Sequence, residues 1–280
     1  MTPKTVATNP HRMPREIAPG VFWIGDCLAQ RHKGKSYHGY NAAFVVAGET
    51  ASCLVETGHP KDFPVIEHHI AKLHAQGIPP LKYLFITHQE TPHSGGLGRV
   101  LKTYPDVILC GDVSDYHLSF PQFEHRMTFM KEGDEIDLGG RSIMAVEPVI
   151  RDLRTTWWGF DTKERVLFPG DGFAYSHYHE DGHCGLTAEE AISLDLPDVS
   201  STFADLALFW TKFADMNVYC GRLDELIERL DVRYIGPTHG LPITDVNGTV
   251  PKVQQGLKEA ALMPESGTNE KVVLTAPAAE

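Results

Sequence analysis

The sequence lacks several features that mark common classes of protein. No apolar run approaches the roughly 18 to 20 residues that a membrane-spanning helix needs, and the N-terminal segment has no apolar stretch typical of a signal peptide. Basic residues are few, 25 Lys and Arg against 37 Asp and Glu, and the net charge of −12 disfavours binding to a phosphate backbone. We therefore expect a soluble, cytoplasmic protein that binds neither membranes nor nucleic acid.

Cysteine is also scarce, and its positions form no recognisable motif. The five cysteines are isolated, odd in number and in no C-x-x-C pair: Cys27, Cys53, Cys110, Cys184 and Cys220. This spacing favours reduced thiols in a core over disulfides or a zinc-binding pair. Histidine, by contrast, is abundant, with 15 residues, and it is a common metal ligand and proton carrier.

The hydrophobic pattern predicts one α/β domain. Apolar residues make up 42% of the 280 residues and are spread evenly, so we expect a single domain over 19–263, a loose N-terminal arm over 1–18 and a flexible tail over 264–280. Short apolar runs predict strands, and longer amphipathic segments predict helices. The predicted strands are 21–25, 42–47, 52–56, 83–86, 107–110, 143–146, 157–160, 166–168 and 234–235; the predicted helices are 61–76, 97–103, 203–213, 221–230 and 250–262. Strands and helices alternate in both halves, which favours two sheets covered by helices.

Three of these strands end in loops that begin with residue types able to bind metal. The strand at 83–86 leads into a loop with His88, Glu90 and His93, the strand at 166–168 leads to Asp171, and the strand at 234–235 leads to His239. Glycine or proline in each loop permits a sharp turn. A single histidine at a strand end is more often structural, but three such loops together predict a metal centre.

The order of these residues resembles the metallo-β-lactamase superfamily. The resemblance covers about 21–243, and it implies an αββα sandwich of two mixed sheets flanked by helices. The first motif, His88-x-Glu90-x-x-His93, is most similar to the di-iron branch typified by the lactamase-like domain of flavodiiron proteins, in which Glu replaces a His. The segment that follows Asp171 is similar to the same branch.

The resemblance implies a two-metal site, with Asp171 bridging the ions. His88, Glu90 and Asp152 would bind the first metal, and His93 and His239 the second. Two positions depart from the family: Pro92 stands where an Asp ligand is expected, and Asp152 stands where the branch has a His. Glu147 then falls on a Glu common in the branch, which supports this register.

The departures leave the metal content open. Because Pro92 offers no donor atom, a single ion or an unequal pair is an alternative to a full binuclear centre. Iron, zinc and manganese all accept such ligands, so the identity of the ions stays open. No FMN is expected.

Other residues have candidate supporting roles. Glu56 resembles a carboxylate that supports the metal ligands from behind. His177, with Asp171, is a catalytic candidate as a proton donor or a replacement ligand, and His179 belongs to the same histidine-rich segment, although a polar surface loop explains both equally well.

Three further residues are candidates for the substrate pocket. His38 and Tyr40 are expected in a loop before the first hairpin, which could cover the metals as a lid. Trp157, beside Trp158, is a candidate wall for an aromatic substrate, with a core position as the alternative.

These observations lead to three functional hypotheses. The first is a metal-dependent hydrolase that directs a metal-bound hydroxide at a small, uncharged or aromatic substrate, with ester, lactone and ether bonds all open. The second is a non-haem di-iron oxidoreductase that binds or activates dioxygen and takes electrons from a separate protein. The third is a metal-poor subunit that supports an active paralogue. A homo- or hetero-oligomer is expected for all three.

Overall fold

Two β-sheets form the centre of the protein. The computed structural model describes residues 13–32 and 34–263. In this part of the chain the first sheet has seven strands in chain order: β1 (Arg15–Ala18), β2 (Val21–His32), β3 (Lys35–Ala47), β4 (Ser52–Val55), β5 (Leu81–Ile86), β6 (Ile108–Gly111) and β7 (Met127–Phe129). The second has five described strands: β8 (Glu135–Asp137), β9 (Ser142–Val146), β10 (Trp158–Asp161), β11 (Val166–Phe168) and β12 (Tyr234–Ile235).

Helices connect and cover the strands. Over the described residues they are α1 (Phe63–Ala75), α2 (Thr91–Ser94), α3 (Leu97–Thr103), α4 (Tyr116–Ser119), α5 (Leu196–Ala207), α6 (Met216–Leu230) and α7 (Val246–Leu262), with 3-10 turns at Pro121–Arg126 and Phe209–Phe213. No helix among the described residues is both long and apolar enough to cross a bilayer.

Both sheets are mixed, and their parallel pairs decide where the loops meet. Strands β1 to β4 pair antiparallel, whereas β4, β5, β6 and β7 pair parallel. In the second sheet only β11 and β12 pair parallel among the described strands. Because parallel neighbours end at the same edge, the loops after β4 and β5 meet at one edge of the first sheet, and those after β11 and β12 meet at one edge of the second.

The alternating side chains of β3 show how the layers are arranged. Phe44 and Val46 belong to the core between the sheets, where Phe44 packs against Phe168 of β11. Ala43 and Val45 belong to a second core that includes the apolar faces of α1 and α3. Since successive strand residues face opposite sides, the first sheet is buried on both faces. The predicted αββα sandwich is confirmed.

Helices α5 and α7 cross closely, and both contribute side chains to the same core as Phe44. A Cβ at Gly256 would lie 2.6 Å from the carbonyl oxygen of Pro197 and from the Cβ of Ser200, so only glycine permits this approach. The helix α7 begins at Asp245, whose side chain accepts a hydrogen bond from the Gly248 amide. The helix therefore begins before residue 250, where the sequence predicts its start, because Asp245 provides an earlier cap.

Two regions are more regular than the sequence predicts. Arg15–Ala18, assigned to a loose arm, forms β1 along β2; residues 1–12 and 264–280 lie outside the described residues. His38 and Tyr40, expected in a lid loop, lie in β3, where they pair with Ala29 and Cys27 of β2. The loop prediction is wrong, because these residues lie in a long and well-paired hairpin. Their role in covering the metals stays a prediction.

Candidate metal centre

The strand ends place the predicted ligands at one point between the sheets. Glu56 follows β4 and His88 follows β5, and both belong to the parallel part of the first sheet. Asp171 follows β11 and His239 follows β12 in the second sheet. Gly170, at φ +55°, lets the Asp171 loop approach the His88 loop, because a Cβ at this position would lie 2.8 Å from the Thr87 hydroxyl.

His93 reaches the same point from the short helix α2. The helix is capped at Glu90, and Pro92 lies in its first turn, where the missing amide costs no helical hydrogen bond. Pro92 therefore has a structural role at the position where the family's Asp would stand. The backbone of His93 is also held in place, because the Thr57 amide donates a hydrogen bond of 2.7 Å to the His93 carbonyl.

The donor atoms of these side chains lie close together. His93 Nε2 is 3.4 Å and His239 Nε2 is 3.6 Å from Asp171 Oδ1. On the other side, His88 Nε2 is 3.9 Å from Glu90 Oε2 and 3.7 Å from Asp152 Oδ2. One donor atom from each of His88, Glu90, His93 and Asp171 lies within 4.8 Å of the other three. All six predicted metal ligands therefore meet at one site.

Several of these atoms are buried without a hydrogen-bond partner among the described residues. They are His88 Nε2, His93 Nε2, Asp152 Oδ1 and Asp171 Oδ1. Leaving a buried polar atom unsatisfied costs about 1 to 3 kcal/mol, so four in one place need an explanation. A divalent metal ion supplies it, because imidazole nitrogens and carboxylate oxygens are ordinary ligands. The residues thus fit a bound metal.

Glu56 orients the ligands from behind. It is buried and adopts a left-handed backbone conformation, φ 64°, which is strained for a residue other than glycine. Its carboxylate lies 3.1 Å from His93 Nδ1 and accepts hydrogen bonds from the hydroxyls of Thr87 and Thr238. This arrangement makes Nδ1 of His93 the protonated nitrogen and directs Nε2 into the site.

The backbone of β3 does the same for His239. Nδ1 of His239 lies 2.5 Å from the carbonyl oxygen of Tyr40, which accepts a hydrogen bond from it. Nε2 is therefore left free to face Asp171. Tyr40 thus contacts the candidate site through its backbone, not as the pocket side chain that was predicted.

Electrostatics also favour a cation at this point. Burial opposes charge on His93, but the carboxylates of Glu56 and Asp171 outweigh it and raise its pKa to about 10. Burial, and then the charge of Asp171, raise the pKa of Asp152 to about 10. Burial lowers the pKa of His88. Protons on His93 and Asp152 therefore offset the negative charge of the carboxylates at the centre. A bound metal ion would replace these protons.

Two cavities adjoin the centre. The first, of about 220 Å³, is lined by Glu90, Pro92, Asp171 and His239. The second, of about 530 Å³, includes Asp152 in its lining and is edged by arginines. The small first cavity suits a substrate of few atoms.

Trp157 lines neither cavity, and the predicted aromatic wall is therefore wrong. Its backbone amide donates to the Thr87 carbonyl, its ring is partly buried against the core, and Trp158 is fully buried. Tryptophan beside a strand fills the core because of its large apolar area. Glu147 is half-exposed and forms an ion pair with Arg151.

The histidines predicted near the bridge contact a different cluster. His177 is fully buried, and its ring stacks on Tyr40 and lies near His38. His179 stacks on His38 and lies beside Cys184. The proton-donor role of His177 stays a prediction, because the described contacts join it to these side chains.

Two threonines escaped the sequence reasoning. Thr87 and Thr238 both hydrogen-bond to Glu56 from opposite sheets. The available signal was the repeated Thr-His pair, because each threonine directly precedes a candidate ligand, His88 or His239.

A profile of the metallo-beta-lactamase superfamily matches residues 37–192. The chain belongs to this superfamily. Among curated relatives, the nitric oxide reductase of Moorella thermoacetica is 26% identical over 250 residues, covering 81% of this chain and 57% of the relative. The coenzyme F420H2 oxidase of Methanothermobacter marburgensis is 23% identical, covering 82% and 58%. The flavodiiron protein from Giardia intestinalis is a structural neighbour with a TM-score of 0.65 and 16% identity, covering 86% and 57%.

These comparisons correct the leading functional hypothesis. The metallo-β-lactamase fold and the resemblance to flavodiiron proteins are confirmed. The prediction of a hydrolase is wrong, because the curated relatives are named as a reductase and an oxidase. The residues alone did not separate the two, since a carboxylate-rich metal site serves either chemistry. The chain spans less than three fifths of the length of these relatives.

Proposed function

We propose that this superfamily member is the metal-bearing module of a non-haem di-iron oxidoreductase that passes electrons to dioxygen or nitric oxide. The observation that carries the proposal is the meeting of three imidazoles and three carboxylates, of which only Glu90 is exposed. Four of these six side chains have a buried donor atom without a partner among the described residues. The names of the relatives supply the class of reaction, an oxidase and a nitric oxide reductase.

The donor set supports iron. Half of the donors are carboxylates, and a set this rich in hard oxygen ligands suits iron(II) better than a set made mainly of histidines does. His88, Glu90 and Asp152 would hold one ion, and His93 and His239 the other, with Asp171 between them. When bound, the two ions would supply the one-electron steps that the reduction of a diatomic gas requires.

The protein residues prepare the site for this chemistry. Glu56 and the Tyr40 carbonyl each hold the proton on Nδ1 of a histidine, so that Nε2 faces the centre. The burial of His88, His93 and Asp171 keeps bulk water away. The cavity beside Glu90 and Pro92 gives a small molecule access to one side of the site. Electrons would come from a redox partner.

The experiment measures iron and reactivity together. We expect protein isolated without air to contain iron, and its chemically reduced form to consume dioxygen or nitric oxide in rapid-mixing experiments. Asp171→Asn should abolish both, whereas the matched exposed variant Asp106→Asn should retain both. Zinc at the centre after reconstitution with iron, or a reduced iron protein that reacts with neither gas, would overturn the proposal.

The substitution at Pro92 gives a second test of the ligand assignment. In the wild type the second ion would be held by His93, His239 and Asp171, and Pro92 offers no donor atom where the family has an Asp. Pro92→Asp should therefore raise iron occupancy at the weaker position, measured as bound iron per chain during anaerobic titration. Pro92→Asn is the matched control, because its amide is a poorer ligand. Equal titration curves for the wild type and Pro92→Asp would contradict the assignment.

A further inference from the structure

A second group of potential metal ligands lies outside the centre already described. Cys27 comes from β2, His38 from β3, and His177 and Cys184 from the segment after Asp171. Cys27 pairs with Tyr40 and His38 pairs with Ala29, so Cys27 and His38 are diagonal neighbours on one face of the hairpin. His38 and His177 exchange two backbone hydrogen bonds of 2.8 Å, which brings the third segment alongside.

The donor atoms have the spacing of a tetrahedral site. The two sulfur atoms are 3.6 Å apart, and His38 Nδ1 lies 3.4 Å from Cys27 Sγ and 3.8 Å from Cys184 Sγ. Nε2 of His177 lies 3.3 Å from Cys184 Sγ. Zinc bound at about 2.3 Å from sulfur and 2.0 to 2.1 Å from nitrogen places adjacent tetrahedral ligands about 3.4 to 3.8 Å apart. The four side chains therefore already form most edges of such a tetrahedron.

A disulfide or an iron–sulfur cluster fits this geometry less well than a single ion. Cys27 and Cys184 are free thiols, and a disulfide would require their sulfurs to approach to about 2.05 Å. A two-iron, two-sulfide cluster of this composition would place both thiolates on one iron and both imidazoles on the other. Here each thiol lies beside an imidazole, and all four donor atoms lie within 4.8 Å of one another. One ion fits, and a cluster does not.

We propose that Cys27, His38, His177 and Cys184 bind one zinc ion. On binding, each of the two thiols loses a proton, and the two thiolates balance the charge of the zinc. Four protein ligands leave no open position, so the role of the ion is structural. The proposed zinc site shares no ligand with the proposed iron site, so each metal can be measured separately.

The location explains what the zinc would stabilise. The ion would fix the segment containing His177 and Cys184 to the β2–β3 hairpin. Tyr40 lies between the two sites: its ring stacks on His177 at 5.1 Å, its hydroxyl accepts from the Gly185 amide, and its carbonyl accepts from His239. The zinc would therefore hold in place the backbone group that orients one of the iron ligands.

His179 is the outer neighbour of this cluster. Its Nδ1 lies 3.2 Å from Cys184 Sγ, its ring stacks on His38, and it is exposed. We assign it the role of a hydrogen-bond partner to the sulfur rather than a ligand, because the other four donors complete the tetrahedron.

Elemental analysis of variants tests the proposal. Protein from zinc-supplemented cultures should contain one zinc per chain that is lost in Cys27→Ser/Cys184→Ser but retained in Asp171→Asn and His179→Ala. Cys220→Ser, which changes a buried thiol on α6, is the matched control and should retain it. Equal zinc in the wild type and the double cysteine variant would overturn the proposal. So would a Cys27–Cys184 disulfide found by mass spectrometry in the freshly isolated wild type.

A measurement on the wild type covers the case in which the cysteine variant fails to fold. Cobalt replacing the zinc should give a near-ultraviolet absorption from thiolate-to-cobalt charge transfer, in the wild type and in Asp171→Asn alike. Removing the metal with a chelator should make two thiols reactive toward a thiol reagent, because Cys27 and Cys184 are only half-buried. A cobalt protein without the thiolate band, or unchanged thiol reactivity, would contradict the zinc site.

Discussion

The two clusters of metal-binding side chains differ in ligand chemistry and in how the fold builds them. The centre with Asp171 combines imidazoles with carboxylates, and three of its residues, His88, Asp171 and His239, follow the ends of parallel strands from both sheets. The cluster with Cys27 combines imidazoles with thiols, and it joins an antiparallel hairpin to a connecting segment. Oxygen-rich, cavity-lined sites suit reactive ions, whereas closed thiolate sites suit structural ones. On the two proposals, the reactive ions and the structural ion therefore occupy different sites in one domain.

Replacement of the bridge should have the largest effect. Asp171→Asn removes the charge that faces both His93 and His239, so we expect metal affinity at this centre to fall more than about 100-fold, beyond the loss typical of supporting residues. Isothermal or spectroscopic iron titration measures it, with Asp106→Asn as the control. Because the thiol cluster does not use Asp171, its zinc should remain; loss of both metals together would break the comparison.

Removal of the charge behind His93 should have the next largest effect. Glu56→Gln keeps the shape of the side chain but weakens its hold on the Nδ1 proton, so iron affinity should fall about 10- to 100-fold. Glu132→Gln, at an exposed position, is the control. An unchanged iron titration curve would show that Glu56 plays no part in orienting His93.

The segment after Cys184 has a second anchor that needs no metal. Glu189 accepts hydrogen bonds from the amides of Thr244 and Asp245 and from the hydroxyl of Thr249, and these bonds hold its pKa below its ordinary value despite partial burial. Glu189→Gln should lower the free energy of unfolding by about 1 kcal/mol in urea denaturation, with Glu225→Gln as the exposed control.

The sign of the pH dependence follows from that lowered pKa. The stabilisation by Glu189 is present above the ordinary Glu pKa of about 4.3 and is lost as pH falls through the folded-state value. The difference in stability between the wild type and Glu189→Gln should therefore shrink in acid. A difference that is constant with pH would contradict the ionised carboxylate as the acceptor.

A buried histidine outside both clusters should affect stability but neither metal site. Burial, and then the charges of His68 and Lys72, lower the pKa of His69 to about 4, so folding favours its neutral form. Between pH 6.5 and about 4 the unfolded chain binds a proton that the folded chain does not, and stability falls as pH falls. His69→Gln should flatten this part of the stability profile without changing either metal content. Loss of either metal in this variant would contradict the position of His69 outside both clusters.

The sequence indicates which side chains meet at the carboxylate centre, because most of the candidate ligands follow strand ends or lie in one compact motif. His88, Glu90 and His93 lie within six residues, and Asp171 and His239 each follow a short apolar strand. The apolar run at 42–47 was equally readable, and it predicted a strand that the structure contains within β3. Each of these signals lies within a short stretch of sequence, so it can be recognised in a single sequence.

The thiol cluster could not be found in this way because its residues meet only after folding. Cys27 and Cys184 are 157 positions apart, and no spacing rule connects them. The spacing of the cysteines predicts core positions for all five, which holds for Cys53, Cys110 and Cys220 but not for these two. The register of β2 against β3 places Cys27 beside His38. The polar sequence at the tip of the hairpin does not predict this register.

The most direct test of the central claim is a metal analysis of anaerobically isolated wild-type protein, combined with Mössbauer spectroscopy after enrichment with iron-57. Our account predicts non-haem iron in a carboxylate- and imidazole-bound environment that is oxidised when dioxygen is admitted, and that is absent from Asp171→Asn. A wild-type protein that takes up no iron at this centre, or holds iron that stays unchanged in the presence of both dioxygen and nitric oxide, would contradict it.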